Sequence, residues 1–176
     1  MTEAVSVASG PLRLVLLPKQ FDAAAVGSIL RAVTRYTGNL MNLHPQLHVD
    51  CHHLGSMPSG ALLLMRNSSL PWFILVPTTN LADVLDLDAT QREQVLSDCA
   101  AISAFIKQVL GYNKVNFAGL GNVVPQMHLH IIGRAADDPC WPQPVWGRLA
   151  EAEDYTPEHI VRWRQALSQH CEFSYE

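Results

Sequence analysis

Cysteine is scarce and scattered in this chain. Cys51, Cys99, Cys140 and Cys171 are widely spaced and form no Cys-x-x-Cys pair. That pattern excludes a disulfide framework and points to reduced thiols in a cytoplasmic setting. An excess of positive charge is missing too: 12 Lys and Arg stand against 16 Asp and Glu, for a formal net charge of -4. A dedicated nucleic-acid binder normally shows a basic excess. A small phosphorylated ligand needs only a few local donors and stays compatible with this balance. No apolar run approaches the ~20 residues that cross a bilayer. The N-terminus has no basic segment leading into a long apolar one, so no secretory leader is expected. There is no internal repeat and no low-complexity tract. What remains is an ordinary globular composition, 48% hydrophobic and 16% charged over 176 residues, enough for one domain with a substantial core.

Local patterns predict an α+β fold. Residues 12–17 read as a strand stopped by Pro18, and 21–36 as a helix with Gly38 just beyond it; residues 1–42 form an N-terminal extension. Residues 44–60 read as irregular, punctuated by Pro45, Gly55, Pro58 and Gly60. Apolar runs at 61–66 and 72–76, joined through Ser68-Ser69-Leu70-Pro71, predict a hairpin. Thr90-Gln91-Arg92-Glu93 fits a capping box at the start of a long helix. Val95, Cys99, Ile102, Ile106 and Val109 give that helix its apolar stripe, and Gly111 suits its C-terminal cap. Residues 114–118 predict a strand, 119–122 a tight turn, and 137–147 an ordered, irregular loop that Trp141 and Trp146 plug onto the core. Thr156 and Pro157 open a last helix with Ile160, Trp163 and Leu167 on its apolar face. One long helix between a hairpin and a final strand pair predicts a mainly antiparallel sheet rather than alternating βαβ units.

The chemistry concentrates in Gln126-Met127-His128-Leu129-His130-Ile131-Ile132. In an extended chain, successive side chains point to opposite faces. Met127, Leu129 and Ile131 then form a core-facing stripe. Gln126, His128, His130 and Ile132 share the other face, which sets two imidazoles beside an amide. Neutral imidazole is a good nucleophile near neutral pH, and a neighbouring N–H donor can stabilise the charge that develops on a phosphoryl group under attack.

This stretch resembles the motif of the histidine-triad (HIT) family, His-φ-His-φ-His-φ-φ with φ apolar, except that Gln126 stands at the first His. It is most similar to a bacterial group whose motif begins with Gln, preceded by Gly-Asn-Val-Val-Pro (here Gly121 to Pro125) and followed by an Asp-rich, Trp-Pro-x-Pro-Val-Trp-Gly stretch (here Asp138 to Gly147). The resemblance covers roughly residues 43–148, with 149–176 as a C-terminal helix of the same domain. It implies an antiparallel sheet of about five strands under a long helix, and a homodimer formed through that helix and an edge strand. It also implies cleavage of a nucleotide at the α-phosphorus through a covalent nucleotidyl-histidine. Dinucleoside polyphosphates such as diadenosine tetraphosphate, nucleoside phosphoramidates and adenylylated compounds are the implied substrates.

On that basis His128 is the expected nucleophile and His130 the phosphate-binding donor. Gln126 can donate and accept hydrogen bonds but cannot supply a proton at neutral pH. The leaving group then needs another acid, or must leave readily unaided, as a polyphosphate does. Asn116 and Asn122 are candidates for phosphate or leaving-group contacts, Asn67 for the ribose, and Trp72 stands where some members carry a further His. Arg134 either meets a phosphate or lies solvated at a strand end. Gln126 also motivates an alternative, a nucleotide-binding module with little turnover. A third reading, a zinc-dependent nucleotidyl transferase, draws on Cys51, His52 and His53 with His44 and His48. Against it, adjacent histidines point in opposite directions in an extended chain and the spacing fits no ligand pattern. No cofactor is required by the leading reading.

Overall fold

The computed structural model describes residues 43–175; the strand at 12–17 and the helix at 21–36 lie outside them. The first described element corrects the expectation of an irregular 44–60. A short helix α1 (Pro45–Asp50) runs directly into strand β1 (Cys51–Met57). Pro45 occupies the first helical turn, where its missing N–H costs nothing. Gly55 lies at an irregularity in the register between β1 and its neighbour rather than at a chain break.

Strands β2 (Gly60–Met65) and β3 (Trp72–Pro77) form the expected hairpin, with Leu64 opposite Phe73 and Ala61 opposite Val76. The long helix α2 (Ala89–Gln108) follows, then β4 (Lys114–Gly119), β5 (Leu129–Arg134) and α3 (Pro157–His170). The five strands make one antiparallel sheet in the order β1-β2-β3-β5-β4. Gln126 and His128 precede the paired part of β5, so the motif enters the sheet only at Leu129.

Both faces of the sheet are covered, which is why β3 and β5 are buried along their whole length. On one face, Leu62, Leu64, Phe73, Leu75, Met127, Leu129 and Ile131 pack against Val95, Cys99, Ile102 and Ile106 of α2 and Ile160 and Leu167 of α3. On the other, Leu63, Trp72, Ile74 and Ile132 pack against Leu47 of α1 and against Cys140 and Val145 of the loop after β5. The alternation in the motif thus divides the two cores as expected.

The start of α2 differs from its expected capping box. The cap is Asp88, whose carboxylate accepts the Gln91 N–H at 2.8 Å, and Thr90 lies inside the first turn. A carboxylate suits this place because it satisfies an orphan amide and faces the positive end of the helix. Gly111, past the other end, takes φ +80°, a conformation that a side chain would strain. Thr156 caps α3 as expected, accepting from His159 N–H. Among the described residues, no helix is long and apolar enough to cross a membrane.

Candidate active site

His128 and His130 stand side by side with ring centroids 5.0 Å apart. Both are largely buried, yet they line a cavity of about 330 Å³ rather than dead-ending in hydrocarbon. Strand register explains the neighbours. Trp72 pairs with Ile132 and Ile74 with His130, so the indole lies diagonally across from the His130 ring on the same face.

Two hydrogen bonds give the imidazoles opposite tautomers. Nδ1 of His128 lies 2.7 Å from the Gln126 carbonyl oxygen. A carbonyl only accepts, so that nitrogen carries the hydrogen, and in the neutral ring Nε2 keeps its lone pair. The Trp72 indole N–H donates to Nδ1 of His130 at 2.9 Å. An indole only donates, so in His130 the hydrogen sits on Nε2. Burial, helped by the neighbouring His128, pushes the His130 pKa from its ordinary 6.5 down to about 4. His130 is therefore a neutral N–H donor at physiological pH. The pair presents one nucleophilic nitrogen and one donor to the same space.

Gln126 has a defined orientation. Its Oε1 accepts the His44 backbone N–H at 2.8 Å, which turns the amide NH₂ away from that contact. The His44 ring takes part as well, since its Nδ1 accepts the Gln46 N–H at 3.2 Å. The segment entering α1 is thereby tied to the first position of the motif. Leu47, Cys51, Met65, Trp72, Ile74 and Trp146 supply most of the cavity's apolar wall, and Gln46 and Asp50 are its polar members beside the histidines. Burial pushes the Cys51 thiol up to about 12, so it acts as wall and not as nucleophile.

The three asparagines part company. Asn122 is exposed in the loop before the motif. Asn116 accepts from Nη1 of Arg134 at 2.6 Å. Asn67 donates to the Ala150 carbonyl at 2.8 Å and accepts the Ser69 N–H, which holds the hairpin turn to the C-terminal segment. Arg134 corrects both sequence expectations: it is neither solvated nor part of the histidine cavity. It is 1% exposed and gives bidentate hydrogen bonds to Asp138, at 2.7 and 3.1 Å, besides its bonds to Asn116 and the Gln143 carbonyl. Burial works to raise the Asp138 pKa, but Arg134 and the amides of Cys140 and Ala135 outweigh it and hold the carboxylate low. The sequence signal was slight, an Arg and an Asp four apart outside any helix. Its effect reaches the site, because the loop held by Arg134 carries Trp146, whose ring meets His130 edge-on at 5.4 Å and Trp72 at 5.7 Å.

The Cys51, His52 and His53 side chains do not converge. Cys51 Sγ lies 3.6 Å from Met65 Sδ, while His52 pairs with Asp154 at 2.5 Å, and Asp154 also takes Arg66. Among the described residues no group of three His, Cys, Asp or Glu side chains could hold a metal ion.

A family model described as the HIT domain matches residues 46–137. Among solved structures, a histidine triad protein from Marinobacter aquaeolei VT8 is 37% identical, covers 74% of this chain and 96% of its own, and superposes with a TM-score of 0.69. One from Bradyrhizobium japonicum is 32% identical over 74% of this chain and 97% of its own, with a TM-score of 0.69. One from Sinorhizobium meliloti 1021 is 30% identical over 73% of this chain and 96% of its own, again with a TM-score of 0.69. The comparison with curated proteins yielded no match.

Proposed function

The chain belongs to the HIT family, and on that premise we propose that it is a nucleotide hydrolase or nucleotidyl transferase acting through a covalent nucleotidyl-His128 intermediate. The complementary tautomers carry this reading. Nε2 of His128 attacks the α-phosphorus and a P–N bond forms. The bond from phosphorus to the leaving group breaks, and the leaving group departs with the electron pair. Water or another acceptor then attacks phosphorus and returns the pair to Nε2. Negative charge that gathers on the non-bridging oxygens meets the Nε2–H of His130, a donor already oriented before reaction. The nucleoside takes the 330 Å³ cavity in front of the histidines. Asn122, exposed in the loop before the motif, would be the asparagine to contact the phosphate; Asn67 and Asn116, already holding other groups, would bind only through their remaining hydrogen-bonding capacity. The protein acts as a homodimer through α2 and the edge strand β4. Between them runs a groove lined by Leu96, Cys99, Ala100, Val115 and Phe117, and Phe117 is 49% exposed.

The test is intact-mass spectrometry after brief mixing with a fluorogenic AMP phosphoramidate or diadenosine tetraphosphate. An added nucleotidyl mass in the parent, lost in His128→Ala, is expected. Binding of AMP with no adduct and no His128-dependent turnover on either substrate would leave a nucleotide-binding module instead.

A further inference from the structure

Most of the histidine cavity cannot tell one base from another. Apolar walls such as Leu47 and Met65 bury a flat ring but read nothing of its polar edge. Beside the histidines, the polar members are Gln46 and Asp50, one turn apart on α1. They lie across the sheet from the motif. Asp50 directly precedes β1, and three strand spacings of about 4.8 Å set β1 about 14 Å from β5. A nucleotide whose phosphate meets His128 and His130 therefore turns the outer edge of its base toward α1.

This end of the cavity has a defined hydrogen-bonding pattern. Gln46 Nε2 donates to Asp50 Oδ1 at 2.8 Å, which fixes the amide and leaves its second N–H beside the carboxylate. Among the described residues no other group donates to that carboxylate, so Oδ2 and a lone pair on Oδ1 remain open. The backbone beneath is held firmly. The Asp50 carbonyl accepts the Arg66 amide at 3.0 Å, and Arg66 Nε donates to the Val49 carbonyl at 3.0 Å. The acceptors are thus in place before a ligand arrives. Asp50 does not serve the helix in return, since it is the last residue of α1, where the negative end of the helix disfavours a carboxylate.

We infer that Asp50, oriented by Gln46, reads the base, and that the preferred substrates are guanine nucleotides. This rests on the proposed function, which puts the nucleoside in the histidine cavity. Along one edge guanine presents the O6 acceptor, then the N1–H and N2–H donors. The open Gln46 N–H meets O6, and the Asp50 carboxylate accepts from N1 and N2. Adenine in the same position sets its amino group against the Gln46 N–H and its N1 lone pair against the carboxylate. A donor then faces a donor and an acceptor faces an acceptor. Hypoxanthine keeps the N1–H and lacks the amino group. Xanthine carries a carbonyl where guanine has that amino group, and the carboxylate repels it.

The experiment is calorimetric titration of the full chain with GMP, IMP, XMP and AMP. GMP should bind about tenfold more tightly than AMP, the effect of one hydrogen bond to a charged group, with IMP between them and XMP no better than AMP. Asp50→Asn keeps an acceptor for N1–H but offers an N–H to the next position, which suits the xanthine carbonyl. The GMP-to-XMP affinity ratio should therefore fall at least about tenfold in this variant, with an absolute gain for XMP. A merely structural Asp50 would lower all four affinities together and leave the ratio unmoved, which overturns the assignment. GMP and AMP binding equally to the parent overturns it as well, without recourse to any variant. If none of the four binds, the nucleoside does not occupy this cavity, and the inference falls with that placement. Guanine preference without a His128 adduct in the intact mass upholds the base reading and counts against the nucleotidyl intermediate alone.

Discussion

At the scale of single residues, one indole N–H sets the protonation of His130. Trp72→Phe keeps a ring in place but removes the donor. Either nitrogen of His130 can then carry the hydrogen, and the fraction with Nε2–H available for the proposed phosphate contact falls. The expected loss is about tenfold in kcat, the equivalent of one buried hydrogen bond. A merely structural role for Trp72 would not move the nitrogen chemical shifts of His130. ¹⁵N NMR should show one tautomer in the parent and a mixture in the variant; an unmixed spectrum in Trp72→Phe would refute this role. Acid should also weaken the fold through the same residue. His130 and His53 both have an ordinary pKa of 6.5 that falls to about 4 in the folded chain, mainly through burial. Below pH 6.5 the unfolded chain takes up protons that the folded chain refuses, so stability drops until the folded pKa is reached near 4. The depressed carboxylates Asp138 and Asp154 extend the same trend to lower pH. Thermal melts from pH 7 to 4 should show a falling Tm that starts near 6.5, before any carboxylate titrates. That His128 and His130 stand side by side was legible because alternation in an extended chain needs only local geometry. The Trp72 bond was not, because it depends on the register between two strands more than fifty residues apart.

At the scale of elements, what the sequence concealed was mostly polar. Periodicity located the hairpin, the long helix, β4 and α3, because apolar spacing is what buries each of them. It missed α1 and β1, since Pro45 and Gly55 resemble chain breaks until a neighbouring helix turn and a register irregularity accommodate them. It also missed two polar ties. Asp98 lies on the buried side of α2 and accepts from both the amide and the hydroxyl of Ser59, pinning the β1–β2 turn to the helix. Arg134 pins the loop of residues 135–147, and through Trp146 that loop forms one wall of the histidine cavity. Arg134→Met retains most of the volume but strands Asp138 in a buried setting. Removing one partner of such a pair costs about 3–5 kcal/mol. Chemical denaturation should show a loss of that size, and the Trp146 environment should loosen before global unfolding. A variant that melts with the parent would mean that the loop is held by its apolar contacts alone.

At the scale of the whole molecule, the described sheet has two edges, and the chain treats them differently. The β1 edge is met by the C-terminal segment, where Ser56 and Ser174 exchange backbone hydrogen bonds at 2.8 and 3.0 Å. The β4 edge has no such cover among the described residues. An open strand edge beside exposed apolar side chains invites pairing with another chain. Phe117, Leu96 and the groove between α2 and β4 supply the apolar part of that surface. A second copy offers the same edge and groove in return, the self-complementary arrangement that a two-fold dimer requires. β4 pairs directly with β5, with Ala118 opposite His130, so a partner bound along this edge would stiffen the strand that carries the site. Sedimentation of the parent is therefore expected at about twice the chain mass of 19.5 kDa. Phe117→Lys puts a charge in the centre of the surface and should shift the protein to monomer at micromolar concentration. Since Phe117 does not line the histidine cavity, the monomer should still bind AMP, with turnover reduced to the extent that β5 relies on its neighbour's support. A parent that sediments at the single-chain mass would remove the dimer and leave the β4 edge to be blunted within one chain.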